Sequence, residues 1–590
     1  MSLRPLPDLP PTVCAAFQRI VRERPDEVAL RTPGDRVTLT WREYADRVRR
    51  VAAGLHAIGV RRGDTVALML TNRPEFAVVD MAAVHLGATP FSVYNTSSPE
   101  QVAYLFGNAG NRVAICEAMT LDQVLGSEVP LEAVVVVDAD RTGTMTLEAL
   151  EAAGDPDFDL DAAWQAVEPD DLATLIYTSG TTGPPKGVQT THRHVVEQVR
   201  SICGMVEIMP GDSITSFLPS AHIADRVTTQ YFGALMGVQV TYVADAKTIA
   251  SALADLRPSI WFAVPRVWEK IKLALETKVA AEPDPDKQAA MRWALDVGRA
   301  KARADLADGP DEALLADHAK ADAAVLSKLR AAIGLDRLRW AWTGAAAIAP
   351  DTQEFFRGLG VPLCELWGMS EVTGAGIVTP PEAPRLGSVG LPLPGMETRL
   401  ADDGELFVRA PYLTSGYRND PERTAEAIDE DGWLHTGDIA TVDEDGYVRI
   451  VDRKKEILIN AAGKNMSPAN IENTLKVTCP MAAAITVVGD ARPYVVALVA
   501  LDPDWAAAYA EQHGLAADAA VLAQDEGVRA LVQAGVDAGN ARLSRVEQVK
   551  RFEVLPTYWM PGGDELTPTL KLRRKPISAK YSDVIDRLYG

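Results

Sequence analysis

The 590-residue chain has few cysteines, no long apolar run and no excess of basic residues. Its five cysteines are scattered, odd in number and never spaced as Cys-x-x-Cys, which argues against a disulfide framework and a cysteine-based zinc site. No apolar run approaches the roughly 20 residues that a membrane-spanning helix needs. The N-terminus lacks the apolar segment of a secretory signal. We therefore expect a cytoplasmic protein, and leave peripheral membrane contact open.

The charge is acidic, because 59 Lys and Arg stand against 81 Asp and Glu, for a net charge of −22. Such a chain is repelled by nucleic acid phosphates, so we expect no nucleic acid partner. Apolar residues at 47% and charged residues at 24% are ordinary for a globular protein. The length predicts about three or four domain-sized units.

Short apolar runs alternate with amphipathic stretches over the first half of the chain. We predict strands at the runs Asp64–Leu70, Arg112–Cys116, Ala133–Val137, Leu172–Tyr177 and Ile260–Val264, and a helix near Glu75–Leu86. Strands separated by helices imply mostly parallel sheets covered by helices. The predicted fold class is therefore α/β.

The composition changes along the chain and suggests domain limits. Residues 282–332 are rich in Ala, Asp, Lys and Leu, which predicts a helical insertion. Residues 380–450 are rich in Gly, Pro and Asp with short alternating strands, which predicts a small β-subdomain. A charged patch at Asp452–Glu456 lies between two apolar strands. We place a boundary there, with a large N-terminal domain over 1–452 and a smaller α+β domain over 453–590.

The most informative segment directly follows the predicted strand Leu172–Tyr177. It reads YTSGTTGPPKG over Tyr177–Gly187. Glycines let a backbone approach a polyphosphate closely, and amides and hydroxyls donate hydrogen bonds to it. Lys186 adds a compact positive charge. These residues predict a loop that binds nucleotide phosphates.

This loop has two other interpretations, a Walker loop and a flexible surface loop. The Walker loop requires Gly before the lysine and Ser or Thr after it, whereas Pro185 precedes Lys186 and Gly187 follows it. A flexible surface loop would explain the glycines and hydroxyls. It would not explain eleven residues of this order directly after a buried strand.

Five further segments accompany the loop in order along the chain. They are LPSAH at Leu218–His222, AWTGAAA at Ala341–Ala347, LWGMSE at Leu366–Glu371, TGD at Thr436–Asp438 and LTPTLK at Leu566–Lys571. With the loop, they resemble the motifs of the adenylate-forming superfamily, which includes acyl-CoA synthetases, peptide adenylation domains and luciferases. The resemblance extends from about Arg42 to Lys575. It implies that a carboxylic acid is activated with ATP as its AMP ester.

The resemblance implies an ATP and magnesium site. The loop residues that would hold the phosphates are Thr178, Ser179, Gly180, Thr181, Thr182, Gly183 and Lys186. The adenine would contact Gly344, Ala345, Ala346, Trp367, Gly368 and Met369. Ser370 would meet the α-phosphate, Glu371 would bind Mg²⁺ with Thr181 beside it, Asp438 would bind the ribose, and Arg453 would bind the ribose or a phosphate. Mg²⁺ prefers oxygen ligands and often keeps waters.

The same resemblance assigns residues to the acyl and coenzyme A steps. Lys571 would be the adenylation lysine on a mobile C-terminal domain, with Lys455 as hinge and Gly463 at the coenzyme A channel. Many members have Gly before that lysine, where this chain has Leu570, so Lys575 stays an alternative. His222 would lie near the acyl-phosphate.

Several segments are closer to long-chain fatty acyl-CoA synthetases than to other members. They include NTSSPEQ at Asn95–Gln101 and VPRVWEK at Val264–Lys270. Trp268 lies where such enzymes place a gate aromatic, although a packed core Trp is an equal alternative. We therefore expect a fatty acid, ATP and coenzyme A as substrates, and a homodimer as one assembly.

Two rival functions are compatible with parts of the sequence. One is an adenylating enzyme that loads its acyl group onto an acyl carrier protein. The other is a nucleotide-binding regulator without activity, which would be expected to lack Lys571 or Glu371, and both are present.

Overall fold

The computed structural model describes residues 3–178, 184–307, 309–460, 465–567 and 570–590. The chain forms two compact units. The first contains the residues through Ala345, Glu354–Thr398 and Phe407–His435, and the second contains Ala346–Gln353, Arg399–Leu406 and Thr436–Gly590.

The strands are β1 Val28–Arg31, β2 Thr38–Thr40, β3 Thr65–Met69, β4 Thr89–Ser92, β5 Val113–Cys116, β6 Ala133–Val136, β7 Met145–Thr146, β8 Leu172–Thr178, β9 Lys186–Thr191, β10 Ser213–Ser216, β11 Gln239–Tyr242, β12 Ile260–Ala263, β13 Trp340–Thr343, β14 Leu363–Trp367, β15 Ile377–Val378, β16 Leu391–Pro392, β17 Glu397–Leu400, β18 Glu405–Arg409, β19 Leu434–Val442, β20 Val448–Arg453, β21 Leu458–Ile459, β22 Asn465–Met466, β23 Ala482–Val488, β24 Val495–Leu501 and β25 Val549–Val554.

The helices are α1 Val13–Glu23, α2 Trp41–Ala57, α3 Pro74–His85, α4 Pro99–Ala109, α5 Leu121–Gly126, α6 Leu147–Ala153, α7 Leu160–Gln165, α8 His192–Cys203, α9 Ile223–Asp225, α10 Phe232–Met236, α11 Ile249–Leu256, α12 Pro265–Ala280, α13 Pro285–Asp305, α14 Glu312–Ala321, α15 Ser327–Ala332, α16 Pro350–Gly358, α17 Pro421–Ala427, α18 Pro468–Thr478, α19 Pro503–His513, α20 Ala519–Gln524, α21 Glu526–Asn540, α22 Arg574–Lys580 and α23 Ser582–Tyr589. A π-helical turn, Arg226–Tyr231, joins α9 to α10.

Three sheets form the first unit. Their strand orders are β7-β6-β5-β3-β4-β8-β9, β10-β11-β1-β2 and β12-β13-β14-β15-β16. Strand β3 runs parallel to both β4 and β5, and β13 runs parallel to β12 and β14. The strands are short, apolar and buried, as in β3, which is typical of parallel sheets covered on both faces.

The second unit contains the three-stranded sheet β23-β24-β25 and the pair β21-β22. Every residue of β24 is buried, with α18 and α21 contributing to one apolar cluster and α22 and α23 to another. The chain changes unit within the sheet β17-β18-β19-β20, between Thr398 and Arg399, Leu406 and Phe407, and His435 and Thr436.

Local sequence signals explain how α4 is placed beside the loop-bearing strand β8. Ser98 caps its N-terminus and forms a capping box with Gln101, Pro99 occupies the first turn, and Gly110 ends it in the left-handed conformation. Each of these residue types is favourable at its position in a helix. The helix thereby presents Asn108, whose Oδ1 accepts a hydrogen bond from the Tyr177 hydroxyl at 2.9 Å.

The predicted α/β fold class is confirmed. Strands stand at all five predicted runs, and α3 coincides with the predicted helix. Helices α13, α14 and α15 lie in residues 282–332. The limits of the domains and the mobility of the second one stay predictions. All five cysteines are buried free thiols. Among the described helices, none combines the length and apolar character needed to cross a membrane.

Candidate active site

Strands β8 and β9 flank the predicted phosphate loop. Strands β8 and β9 pair antiparallel, with Thr178 opposite Lys186. The predicted residues Ser179, Gly180, Thr181, Thr182 and Gly183 lie outside the described residues. Lys186 is the first residue of β9, and the Tyr104 hydroxyl donates to the Pro185 carbonyl at 3.0 Å.

Residues 412–418, here called the bridging segment, run beside β9. The backbone N–H of Gln189 donates to the Gly416 carbonyl at 3.0 Å, and the N–H of Arg418 donates to the Gly187 carbonyl at 2.7 Å. The bridging segment also contacts the turn after β14, where the N–H of Thr414 donates to the Glu371 carbonyl at 2.8 Å.

Tyr417 of the bridging segment contacts two predicted site residues. Its hydroxyl donates to Glu371 Oε1 at 2.9 Å, and the Lys186 ammonium lies 4.4 Å from the centre of its ring. Burial raises the pKa of the phenol above its ordinary value, and the Glu371 charge raises it further. The hydroxyl therefore stays protonated and donates. Lys186 and Glu371, 185 positions apart in sequence, are brought together through one side chain.

The predicted adenine segments lie at neighbouring strand ends. Strands β13 and β14 are parallel neighbours, so the residues that follow them meet at one sheet edge. Ala345 has a φ of +68°, which is uncommon for a residue other than Gly. A Cβ at Gly368 would lie 1.6 Å from the Gly374 carbonyl oxygen, so only Gly fits. Trp367 and Ser370 are both 7% exposed.

Three further predicted adenine residues are Met369, Gly344 and Ala346. Met369 precedes the turn containing Glu371 and accepts a backbone hydrogen bond from Gly374 at 3.0 Å. Gly344 directly follows β13, and a Cβ there would lie 2.7 Å from Leu366 Cδ1. Ala346 belongs to the second unit, whereas Ala345 belongs to the first.

His222 precedes α9 and its ring caps that short helix. Its Nδ1 accepts the backbone N–H of Ala224 at 3.2 Å. An acceptor at Nδ1 places the proton of the neutral ring on Nε2.

A buried polar network lies next to His222. The Asp225 carboxylate accepts hydrogen bonds from the hydroxyls of Ser216 and Ser220, at 3.1 and 2.9 Å, and the Asn72 amide contacts Ser216 at 2.8 Å. Burial raises the pKa of Asp225 to about 7, while the serine hydroxyls and the Arg226 charge oppose the shift. Arg226 itself is fully buried and pairs with Asp80.

Trp268, the predicted gate, lies in α12 and is fully buried. Its ring packs edge-on against Trp261 and Phe356, each at 4.8 Å between centroids. Its indole N–H donates to the Ala263 carbonyl at 3.2 Å. These contacts place it in an aromatic cluster of the first unit, and its role as a gate stays a prediction.

In the second unit, Asp438 and Arg453 face each other across β19 and β20. Arg453 Nε lies 2.9 Å from Asp438 Oδ1, and Asp438 is 3% exposed whereas the Arg453 side chain is 45% exposed. The two predicted ribose residues are thus adjacent. Lys455 follows in an exposed turn. Gly463 lies outside the described residues.

Lys571 lies in the second unit and is hydrogen-bonded to Thr567. Its backbone N–H donates to Thr567 Oγ1 at 2.9 Å, and the N–H of Thr567 donates to the Lys571 carbonyl at 2.9 Å. Leu570 has a φ of +64°, a conformation in which Gly is favoured. This backbone explains why a glycine suits the position before the lysine. Lys575 instead lies in the first turn of α22.

Two family models match this chain. The AMP-binding enzyme model matches residues 17–418, and the AMP-binding enzyme C-terminal domain model matches residues 455–590. The chain belongs to the AMP-binding enzyme family. The predicted resemblance to adenylate-forming enzymes is therefore confirmed.

Relatives of this AMP-binding enzyme include proteins named as fatty-acid–CoA ligases. It is 54% identical over 450 residues to the fatty-acid–CoA ligase fadD11 of Mycobacterium tuberculosis, covering 76% of this chain and 79% of the relative. It is 35% identical over 584 residues to the long-chain-fatty-acid–CoA ligase FadD15 of Mycobacterium bovis, covering 96% and 95%.

A solved structure supports the fold of this AMP-binding enzyme. The anthranilate CoA ligase AuaEII, in complex with anthranoyl-AMP, matches with a TM-score of 0.74 at 20% identity, covering 98% of this chain and 99% of that chain. At that identity the likeness concerns the fold.

Sequence reasoning missed Tyr417 in this AMP-binding enzyme. It stands in the stretch that composition assigned to turns, within SGYR at Ser415–Arg418. A large aromatic in a stretch rich in Gly, Pro and Asp was a signal of burial. It did not identify Lys186 or Glu371 as the partners, because those contacts depend on chain pairing over long distances. The Asp225 network was missed for the same reason.

Proposed function

We propose that this protein is an ATP-dependent, AMP-forming acyl-CoA synthetase that activates a medium- to long-chain fatty acid. The observation that carries the proposal is the contact of one buried side chain, Tyr417, with both Lys186 and Glu371. A phosphate-binding cation and a metal-binding carboxylate are thereby held in one place, as adenylation of an acid requires. The relatives named as fatty-acid–CoA ligases support the choice of acid.

Magnesium fits Glu371 by the chemistry of its surroundings. The carboxylate is 7% exposed and its Oε1 accepts a hydrogen bond from a neutral phenol, which leaves oxygen lone pairs for a cation. Mg²⁺ is commonly bound by one or two carboxylates together with substrate phosphates. When bound, the ion neutralises charge on the phosphates of ATP. Thr181 is proposed beside it.

In the first step, an oxygen of the fatty acid carboxylate attacks the α-phosphorus of ATP, and pyrophosphate leaves. Because the nucleophile is already anionic, the chain needs to supply no general base. The reaction then depends on positioning and charge stabilisation. We assign Lys186 and the loop residues 178–183 to the β- and γ-phosphates, Ser370 and Lys571 to the α-phosphate, and His222 Nε2–H to an acyl oxygen.

The remaining nucleotide contacts follow the predicted assignments. Gly344, Ala345, Ala346 and Trp367–Met369 would line the adenine, and Asp438 with Arg453 would bind the ribose. A carboxylate accepts two vicinal hydroxyl donors well.

In the second step, the coenzyme A thiol attacks the adenylate carbonyl, the acyl–sulfur bond forms and AMP leaves. The thiol proton passes to the departing phosphate or to water. Lys571 must withdraw so that the pantetheine arm can enter. We propose that the C-terminal domain moves about Lys455 and brings Gly463 to the thiol, a type of hinge motion that separates two half-reactions.

The test measures AMP release with fatty acids of 6 to about 20 carbons, with either coenzyme A or a purified acyl carrier protein as acceptor. Each buried CH₂ contributes roughly 0.8 kcal/mol, so KM should fall as the chain lengthens. We expect turnover with coenzyme A. Turnover with carrier protein alone, or a preference for aryl acids, would overturn the proposal.

Assembly and location complete the proposal. We propose a cytoplasmic homodimer with peripheral membrane contact, because fatty acids partition into membranes. Sedimentation of the purified protein tests the homodimer, and vesicle flotation tests the membrane contact.

A further inference from the structure

The bridging segment, residues 412–418, connects the two motifs on which adenylation depends. One side is hydrogen-bonded through the backbone to β9, which begins with Lys186. The other side is hydrogen-bonded to the backbone of Glu371. Within this segment, the Tyr417 side chain contacts both the Glu371 carboxylate and the Lys186 ammonium.

We propose that Tyr417 is a positioning residue that holds the carboxylate of Glu371 and the ammonium of Lys186 in a fixed arrangement for magnesium and ATP. The inference rests on the proposed function, which assigns Glu371 to the metal and Lys186 to the phosphates. Tyr417 is expected to touch neither the reacting carboxylate nor the α-phosphorus.

The two contacts use different parts of the phenol. The hydroxyl donates a charge-assisted hydrogen bond that fixes the rotation of Glu371. A carboxylate has about four lone-pair sites, so one bond leaves capacity for a metal ion. The ring face attracts the Lys186 ammonium through its quadrupole. A neutral phenol thus orders two opposite charges without neutralising either of them.

Different substitutions separate the two contacts. Tyr417→Phe removes the hydroxyl and keeps the ring face, so the metal contact is affected and the lysine contact is preserved. Tyr417→Leu removes both. Tyr412→Phe is the matched control, because Tyr412 is a buried tyrosine of the same segment whose hydroxyl makes no hydrogen bond within the part of the chain that the structure describes.

The experiment measures binding without acid or coenzyme A. The full-length protein is titrated with Mn²⁺, a paramagnetic substitute for Mg²⁺, in the presence of α,β-methylene-ATP, and free Mn²⁺ is read by electron paramagnetic resonance. Binding of the analogue in EDTA is measured separately by calorimetry. Thermal unfolding of each variant checks folding.

For Tyr417→Phe we expect Mn²⁺ affinity to fall about tenfold, the size of a lost hydrogen bond to a charged group. Its metal-free affinity for the analogue should match that of wild type. Tyr417→Leu should weaken both affinities. Equal Mn²⁺ titrations for Tyr417→Phe and Tyr412→Phe would overturn the proposal, and Tyr417→Phe decides the matter if the leucine variant does not fold.

A kinetic measurement gives an independent readout. In pyrophosphate exchange, Tyr417→Phe should raise the Mg²⁺ concentration for half-maximal rate and recover most of the wild-type rate at high Mg²⁺, with KM for the acid unchanged. A purely structural role would lower the rate at every Mg²⁺ concentration, and that result counts against the proposal. If wild-type protein forms no acyl-CoA, the proposed function fails, whereas the Mn²⁺ result still tests Tyr417.

Discussion

At the residue scale, the residue before Lys571, the proposed adenylation lysine, has a strained backbone. Leu570 adopts a φ of +64° at a cost of roughly 1–2 kcal/mol. Leu570 and Leu572 pack against the apolar cluster that contains Trp559 and Tyr581. This packing anchors the residues before and after Lys571, which is exposed. The choice of Lys571 over Lys575 as the adenylation lysine stays a prediction.

Lys571→Ala should nearly abolish adenylation, because the charge that meets the carboxylate and α-phosphate is lost. The variant should still convert a supplied acyl-adenylate and coenzyme A to the thioester. Acid-dependent pyrophosphate exchange measures the first step, and thioester formation from synthetic acyl-AMP measures the second. Lys575→Ala is the control and should retain exchange; the opposite pattern would assign the role to Lys575.

Asp225 gives a second residue-scale prediction, based on pH. Burial raises its folded-state pKa to about 7, above the value of roughly 4 for an unfolded Asp. Folding therefore favours the protonated carboxyl. The stability that this preference contributes is fully present below about pH 4 and is lost as the pH rises to about 7.

Asp225→Asn stays neutral over that range. We expect its free energy of unfolding, relative to wild type, to increase between pH 4 and 7 and then to level off. Urea unfolding at a series of pH values measures the difference. The exposed Asp157 provides the control variant Asp157→Asn, for which the difference should stay constant. A flat difference for Asp225→Asn would contradict the assigned pKa direction.

At the scale of elements, the bridging segment depends on a backbone that only glycine adopts readily. Gly416 has a φ of +119°, and a Cβ there would lie 2.5 Å from Thr424 Cγ2. The segment is also pinned by the hydrogen bond from the Tyr417 N–H to Thr424 Oγ1 at 2.9 Å. A shift at Gly416 therefore moves Tyr417 relative to β9.

Gly416→Ala should destabilise the protein by about 1–3 kcal/mol, because the new side chain combines backbone strain with a clash. It should also weaken binding of magnesium–ATP. Gly432→Ala is the control, since Gly432 has a φ of +79° but its Cβ would meet only Arg409 Cδ, at 3.8 Å. Denaturant unfolding and nucleotide calorimetry compare the two. Equal nucleotide affinities would show that the segment does not position Tyr417.

At the scale of the whole molecule, the proposed functional residues are divided between two compact units. Lys186, Glu371 and His222 belong to the first, and Asp438, Arg453 and Lys571 belong to the second. The chain passes for the last time from the first unit to the second between His435 and Thr436. The first family model ends at residue 418 and the second begins at residue 455. The chain between these limits contains β19 and β20, which carry the proposed ribose pair.

Lys455→Pro tests the proposed hinge. Proline locks φ near −65°, so a turn that must change conformation between half-reactions would be restrained. We expect pyrophosphate exchange to persist and thioester formation to fall at least tenfold, measured as coenzyme A-dependent AMP release. Lys455→Ala should leave both steps near wild type. Equal loss of both steps in the proline variant would argue for a local structural effect and against a hinge.

The sequence by itself determined the fold class, the positions of five strands and one helix, and the family to which the chain belongs. Short buried strands and capped helices are specified by neighbouring residues, as β3 and α4 illustrate. The loop at Tyr177–Gly187 and the motif ending in Glu371 could be recognised because close phosphate approach and metal binding require particular residue types in a local order.

The tertiary structure decided which of these residues meet. Tyr417 joins Lys186 to Glu371, Asp438 faces Arg453, and Trp268 packs between Trp261 and Phe356. These contacts join residues that local sequence patterns treat separately. They arise from strand pairing and burial between segments as much as 231 positions apart, such as Lys186 and Tyr417, and no local pattern encodes such partners.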